Sequence, residues 1–259
     1  MNNVNKTLYI PLYGKSYVSE KGIILHDAKA EEIWAAEGFA LKGKSASKWL
    51  AYYMAMRAAV FDRWLSAKLE ESPDAVVLHL RCGMDSRVCR VGEQGHLGYD
   101  VDFSDVIAQR KRYYTENERY SMLSANVTED DFLSKVQGTS AIVVMEGISM
   151  YLKPQQLQDL MARLCDHFEQ VRVLMDCYTE FAAKASKYKN PINDVGVTEV
   201  YGLDEPEKLE TSGLIFVGET DMTPSDLIEQ LQGMERTIFR KLYAGSIARK
   251  MYRLYEYEK

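Results

Sequence analysis

The spacing of apolar residues changes near residue 74. Before it, "DAKAEEIWAAEGF" and "SKWLAYYMAMRAAVFDRWLSAKL" repeat apolar positions at helical intervals and predict two helices that cap one edge of the following structure. After it, short runs of almost unbroken apolar residues alternate with helical stretches. "AVVLHL" (75–80), "LGYDVDF" (97–103), "YSMLSANV" (120–127), "SAIVVMEG" (140–147) and "VRVLMDCY" (171–178) read as five strands. Helices are expected through "SRVCRV", in "SDVIAQRKRYY" behind the cap residue Ser104, near "EDDFLSKV", and in the amphipathic "KPQQLQDLMARLCDHFEQ", where Pro154 occupies the first turn. Strands that are apolar on both faces and separated by helices belong to a parallel sheet covered on both sides.

Beyond residue 178 the alternation loosens. "NPINDVGVTEVYGLDEPEKLE" is polar and broken by Gly and Pro; "GLIFVGE" follows, then a helix from about Pro224 to Ala244. The final "ARKMYRLYEYE" alternates as a half-solvated strand does, and a hairpin-like return would set it antiparallel to the others. No internal repeat or low-complexity linker divides the chain. One α/β domain of 259 residues is expected, with a helical cap over 1–72, a cofactor-binding half over 73–178, an acceptor lid over 179–212 and C-terminal strands and helix over 213–259.

Composition narrows the choice of partners. A net charge of −6 speaks against a nucleic-acid surface, and the run Arg110, Lys111, Arg112 reads as a solvated helix face balanced by Glu116 and Glu118. No stretch approaches the ~18 apolar residues of a membrane span, and the first residues lack a secretory pattern. Cysteines 82, 89, 165 and 177 form no CxxC pair and have apolar neighbours, as reduced core thiols of a cytoplasmic protein would. The four histidines are scattered, so no metal site is expected. The expected partner is a small molecule, and the oligomeric state stays open.

In a doubly wound sheet, ligands lie outside the carboxyl ends of the strands. Four positions fall there: the turn "RCGMD" (81–85) with Gly83, the acids of "DVD" (100–102), Asn126 and Glu146. A glycine lets backbone approach a ligand, and an acid after the second strand can take both ribose hydroxyls. Each also has a plainer reading as a turn or a solvated cap. Glu146 is harder to dismiss, because it follows "AIVVM", where an unpaired carboxylate is costly to bury. The stretch R-C-G-M-D-S fails the GxGxxG dinucleotide fingerprint, and no GK[ST] phosphate loop exists.

"VVLHLRCGMDSRV", "GYDVDFSDVI" and "VVMEGISMYL", with "IPLYGKSYVSEKGIILHDAKAEEIW", "AMRAAVFDRWL" and "VYGLDEPEKLE" on either side, resemble the leucine carboxyl methyltransferase family, most closely its bacterial polyketide O-methyltransferase branch. The resemblance spans nearly the whole chain. It implies a class I, Rossmann-like, seven-stranded, mostly parallel sheet with an antiparallel last strand, and S-adenosylmethionine as cofactor. It further implies that Arg57 pairs with the cofactor's carboxylate and that Gly83 underlies its methionine part. Asp102 would hold the ribose, Asn126 and Val127 would flank the adenine, Glu146 would face the amino group, and Tyr151 would stand near the mouth. In two places the chain departs from the family pattern: Arg81 stands where the family has a small residue, most often glycine, and Asn126 where leucine-type members have aspartate.

The implied activity is O-methylation of a hydroxyl or carboxyl on a polyketide-like small molecule. A carboxylate needs no base; for a hydroxyl, His26 and Tyr151 are the candidates. Tyr178, Tyr188 and Tyr201 of the lid region point to an aromatic acceptor, or equally to plain packing. A cofactor-binding sensor or partner protein without turnover is the second reading, motivated by Arg81. The arginine borders the cofactor site and is expected to swing outward toward Asp85, Asp100 or Glu146, from a backbone position that needs no positive φ. Pointing inward, it would occupy the space of the methionine part, or join Arg57 on the carboxylate as a ligand.

Overall fold

The computed structural model describes residues 8–38, 41, 43–91, 95–129, 131–189 and 199–259, with backbone alone at 187–189. Seven strands form one sheet: β1 (Val76–Leu80), β2 (Gly98–Asp102), β3 (Tyr120–Ser124), β4 (Ser140–Met145), β5 (Gln170–Tyr178), β6 (Ile215–Thr220) and β7 (Tyr252–Glu258), in the order β3-β2-β1-β4-β5-β7-β6. The strands β1 to β5 pair in parallel, and β7 runs antiparallel between β5 and β6. The strand order reverses between β1 and β4, which pair from Val76↔Ala141 to His79↔Val144. Both strands therefore end side by side, and a crevice opens beyond them.

The helices are α1 (Tyr9–Ser19), α2 (Ala28–Glu37), α3 (Lys48–Glu71), α4 (Arg87–Val91), α5 (Ser104–Arg110), α6 (Pro154–His167), α7 (Glu180–Lys189), α8 (Ser225–Glu229), α9 (Gly233–Tyr243) and α10 (Ser246–Arg249). On one face of the sheet, Leu157, Leu160 and Leu164 of α6 pack on Leu78, Val143 and Val173. On the other, Met56, Ala59 and Phe61 of α3 join Ile142, Val144, Leu174 and Leu254, with Leu227 and Phe239 from α8 and α9. The cap thus covers a face of the sheet, not the edge expected from the sequence. The reason lies in α3 itself: every residue from 51 to 61 is buried. A helix apolar all round must be packed on all sides.

Four local expectations are corrected. A helix near 129–136 reduces to a 3-10 turn, Leu133–Lys135. The single helix expected from Pro224 to Ala244 is two, α8 and α9, separated ahead of Gly233, which has φ +52°. The helix α1 was not foreseen, because Pro11 and Gly14 lower its propensity. Tertiary contact overrides that: a Cβ at Gly14 would lie 3.1 Å from the Ala51 carbonyl oxygen, so a side chain there would push α1 and α3 apart by a few tenths of an ångström. The stretch 179–212 opens with α7, not irregular chain, and Gly202 later bridges to Tyr178 at the end of β5. Residues 190–198 lie outside the described residues. Three cysteines are buried as expected, and Cys89 is exposed.

The basic run is also corrected. Lys111 and Arg112 are exposed, but Arg110 is wholly buried. Its guanidinium donates to Asp100, to the Tyr120 hydroxyl (3.0 Å) and to the carbonyls of Gly83 (3.0 Å) and Asp85 (2.7 Å). It therefore fastens β2 to the turn after β1. Removing one partner of a buried pair strands the other's charge. Arg110→Leu is expected to lower unfolding free energy by about 3–5 kcal/mol, read from guanidinium denaturation at neutral pH. A loss under about 1 kcal/mol, the range of an exposed pair, would contradict this role.

Candidate functional site

A cavity of about 580 Å³ opens where β1 and β4 end, and α1, α3 and α7 wall it. Of the residues singled out in the sequence, Arg57, Arg81, Gly83, Glu146, Tyr151 and Tyr178 line it. Asp102, Asn126, Val127 and Tyr201 do not.

The floor is ionic. Arg57 reaches down from α3, 4% exposed. Its Nε donates to Glu146 Oε1 (3.0 Å) and its Nη1 to Asp176 Oδ2 (2.7 Å); Nη2 has no protein partner among the described residues. Gly147, at φ +75°, keeps the space above the guanidinium clear: a Cβ there would lie 3.6 Å from Nη2. Glu146 is also bound by Arg87 Nη2 at 2.5 Å. Burial would raise the Glu146 carboxyl, but Arg57 and Arg87 overcome it and hold it at about 2. Asp176 goes the other way: burial raises it more than Arg57 lowers it.

Two residues at this floor were not foreseen. Lys15, buried on α1, donates to Asp85 Oδ2 at 2.7 Å and lines the cavity. Burial pushes the Asp85 carboxyl up, but Lys15, Arg87 and Arg90 together bring it well below the usual range. The local signal for Lys15 was faint, a lysine among the apolar residues of "YIPLYGKSYVS" with no predicted helix to carry it. His79 lines the cavity with both ring nitrogens engaged, Nε2 at 3.2 Å from Arg87 Nη1 and Nδ1 at 3.5 Å from Asp100 Oδ1. His26 is exposed, touches Ser19 and is not in the cavity wall, so its candidacy as a base is withdrawn.

The turn after β1 corrects the reading of Arg81. Its φ is +57°, in the left-handed region that costs a residue with a side chain about 1–2 kcal/mol. Its partner is none of the acids expected: Nε lies 3.5 Å from Asp102 Oδ1, and the guanidinium sits 3.7 Å from the centre of the Phe103 ring. Asp102 itself is 1% exposed, with Oδ2 accepting from the Gly83 amide and Oδ1 from the Phe103 amide, both at 2.8 Å. Gly83 has φ +54° and faces the cavity. Further along the strand ends, Asn126 Oδ1 accepts from the Thr128 amide and hydroxyl, and the Val127 carbonyl accepts from Arg163.

The opposite wall is aromatic. Tyr178 and Tyr252 stack edge to face at 4.6 Å, and Tyr53 meets Tyr252 at 5.9 Å, its own hydroxyl buried and without a partner among the described residues. Burial raises the Tyr53 and Tyr151 hydroxyls, so both are neutral near pH 7. Tyr201 instead points its hydroxyl to Glu199 at the surface, 3.0 Å away. The side chain of Tyr188 lies outside the described residues. Among the described residues no cluster of His, Cys, Asp or Glu could hold a metal ion, and no helix is long and apolar enough to cross a membrane.

The profile of the leucine carboxyl methyltransferase family matches residues 12–165, more than half of the chain, and the chain belongs to that family. It is 30% identical over 244 residues to the tetracenomycin polyketide synthesis O-methyltransferase TcmP of Streptomyces glaucescens, covering 92% of this chain and 90% of that one. It is 25% identical to the S-adenosyl-L-methionine-dependent methyltransferase dpfgK of Gibberella zeae, over 82% and 79% of the two chains. The fold resembles that of magnesium protoporphyrin IX methyltransferase from Synechocystis, solved with bound S-adenosylhomocysteine (TM-score 0.53, 11% identity, 88% and 93% coverage). A putative sarcosine dimethylglycine methyltransferase from Galdieria sulphuraria is similar (TM-score 0.54, 11% identity, 90% and 98% coverage). By family and fold the chain is a class I, S-adenosylmethionine-dependent methyltransferase.

The floor has a pH signature. Because Glu146 and Asp85 ionise below their unfolded values, the native state binds fewer protons, and their stabilisation is present above about pH 4.5 and lost as pH falls toward 2. Asp176, raised, opposes them. Glu146→Gln is expected to flatten the fall of unfolding free energy between pH 4.5 and 2 by up to ~1.4 kcal/mol per pH unit, one proton's share. Urea titrations across that range measure it, and parallel slopes for the two proteins would count against the assignment.

Proposed function

We infer that this chain transfers a methyl group from S-adenosylmethionine to an oxygen of a small molecule, and that the acceptor oxygen belongs to a carboxylate. The observation that carries the reading is the charge and proton inventory of the cavity. Its acids are paired, Asp85 with Lys15, Arg87 and Arg90, and Glu146 with Arg57 and Arg87. Among the described residues the one lining histidine is engaged at both nitrogens, and of the lining tyrosines Tyr53, Tyr151 and Tyr252 are held neutral by burial. Among the described residues the acids and the histidine of the cavity are all engaged, so none of them is a free base for a hydroxyl, and a carboxylate needs none. Lys44, also lining the cavity, has no acidic partner among the described residues and can receive an anion.

The chain's residues fit the cofactor's methionine part. Arg57 Nη2 and the remaining Lys15 donors would hold its carboxylate, Glu146 its ammonium, and the backbone at Gly83 and Gly147 leaves room beside them. Asp102 would take the ribose hydroxyls, with Asn126 and Val127 on the adenine side. The cofactor supplies an electrophilic methyl; the protein's part is to hold the acceptor in line and keep water out. Tyr151, Tyr178 and Tyr252 offer flat apolar faces to a planar acceptor, in keeping with the polyketide O-methyltransferase to which the chain is similar.

Turnover with paired hydroxyl and carboxyl aromatic acceptors tests this. A carboxyl product is an ester and releases methanol in mild alkali, whereas an aryl ether survives. Ether formation alone would reverse the preference, and saturable S-adenosylhomocysteine binding without turnover on any acceptor would favour a sensor. Asp102→Ala is expected to weaken S-adenosylhomocysteine binding about 10- to 100-fold, ~1.5–3 kcal/mol for hydrogen bonds to a charged group. Unchanged affinity by calorimetry would remove Asp102 from the ribose site.

A further inference from the structure

The cavity stops at Arg81. On its near side stand Arg57, Lys15, Gly83 and Glu146; Asp102, Phe103, Asn126 and Val127 do not line it. The guanidinium lies over the Phe103 ring and beside Asp102 Oδ1, at the place where a ribose would meet that carboxylate. We propose that Arg81 is a displaceable plug on the adenosine half of the site, and that the cofactor binds by exchanging ribose hydroxyls for the arginine at Asp102. This rests on the reading of Asp102 as the ribose carboxylate.

Three observations carry it. The contact is loose: 3.5 Å from Nε to Oδ1 is beyond good hydrogen-bond length, and the side chain keeps a quarter of its exposure. Asp102 is ready for a replacement, since the amides of Gly83 and Phe103 hold its two oxygens in place and each oxygen retains a lone pair. The backbone at Arg81 is anchored independently of the side chain, its amide donating to the Val101 carbonyl at 2.7 Å, so the guanidinium can leave without unravelling the turn. A protein competent to bind in only a fraction of its population shows an affinity reduced by that fraction. Arg81 therefore sets cofactor affinity, and with it the ease of product release, without touching the reacting atoms.

Two variants of the full chain separate side chain from backbone. Arg81→Ala removes the plug but keeps a side-chain-bearing residue in the left-handed region; Arg81→Gly removes the plug and the strain. Both are expected to bind S-adenosylhomocysteine about tenfold more tightly than wild type by calorimetry, ~1.4 kcal/mol, with slower dissociation in stopped flow. Only Arg81→Gly should also melt at a higher temperature. If wild type binds S-adenosylhomocysteine and Arg81→Ala binds it no more tightly, the plug is refuted; a tenfold loss makes Arg81 a ligand instead. If wild type and both variants fail to bind it at all, the methyltransferase reading falls, and the plug with it.

Discussion

Glu146 follows the apolar strand β4 with its side chain only 5% exposed, and Arg57 and Arg87 are what keep it ionised. Neither arginine serves it alone. Arg57 also holds Asp176; Arg87 also holds Asp62 and faces Asp85; Arg90 joins Asp62, Asp85 and Asp27; Lys15 closes the chain on Asp85. Buried charges are tolerable only when paired and hydrogen-bonded, so the lattice stands as a whole. Five acids share four cations in it, and the Asp176 carboxyl is raised because burial outweighs the pull of Arg57.

The lattice also explains why the N-terminal helices are not an accessory. Lys15 comes from α1, Asp27 is the N-cap of α2 and Arg57 comes from α3, and each has its partner after β1 or β4. The same α3 contributes Met56 and Phe61 to the core beneath the sheet. Without these helices the sheet would lose one apolar cover, and Asp85 and Glu146 would lose counter-charges they need. The cap, the core and the floor of the cavity are one construction. Truncation of the N-terminal region therefore probes folding before it probes binding.

Period and composition revealed the sheet well, because the parallel strands are short, largely apolar runs between helices and neither signal depends on distant partners. Strand ends placed Gly83 and Glu146 correctly at the cavity, by topology alone. What stayed hidden depends on contacts far apart in sequence. Arg110 sat in a run of charges that looked solvated, and only its meeting with Asp100 and Tyr120 buries it. Lys15 lay in a helix weakened by Pro11 and Gly14, whose stability comes from packing on α3. Tyr201 and His26 carried suggestive chemistry on surfaces that turn away from the cavity. Asn126 illustrates another limit, since its oxygen is engaged by the Thr128 amide and hydroxyl within a local turn.

Backbone strain separates two unusual positions. Among the described residues, only Ile24 and Arg81 hold positive φ without being glycine. Ile24 is fixed from outside, its amide donating to Gln230 Oε1 at 2.6 Å while its side chain is buried in the core, so packing over-determines the turn. Arg81 has no such enforcement on its side chain, which rests at 3.5 Å from Asp102 and on the face of Phe103. Its conformation is dictated by the turn, because Arg81 and Cys82 amides both reach the Val101 carbonyl and Gly83 follows in the same left-handed region. Glycine is the residue such a turn favours, which gives the family's small residue at this position a conformational reason. An arginine kept there against that preference is the kind of local conflict that gathers at functional sites. The turn fixes where the arginine begins, and its 3.5 Å approach to Asp102 is the contact that a ligand can take over.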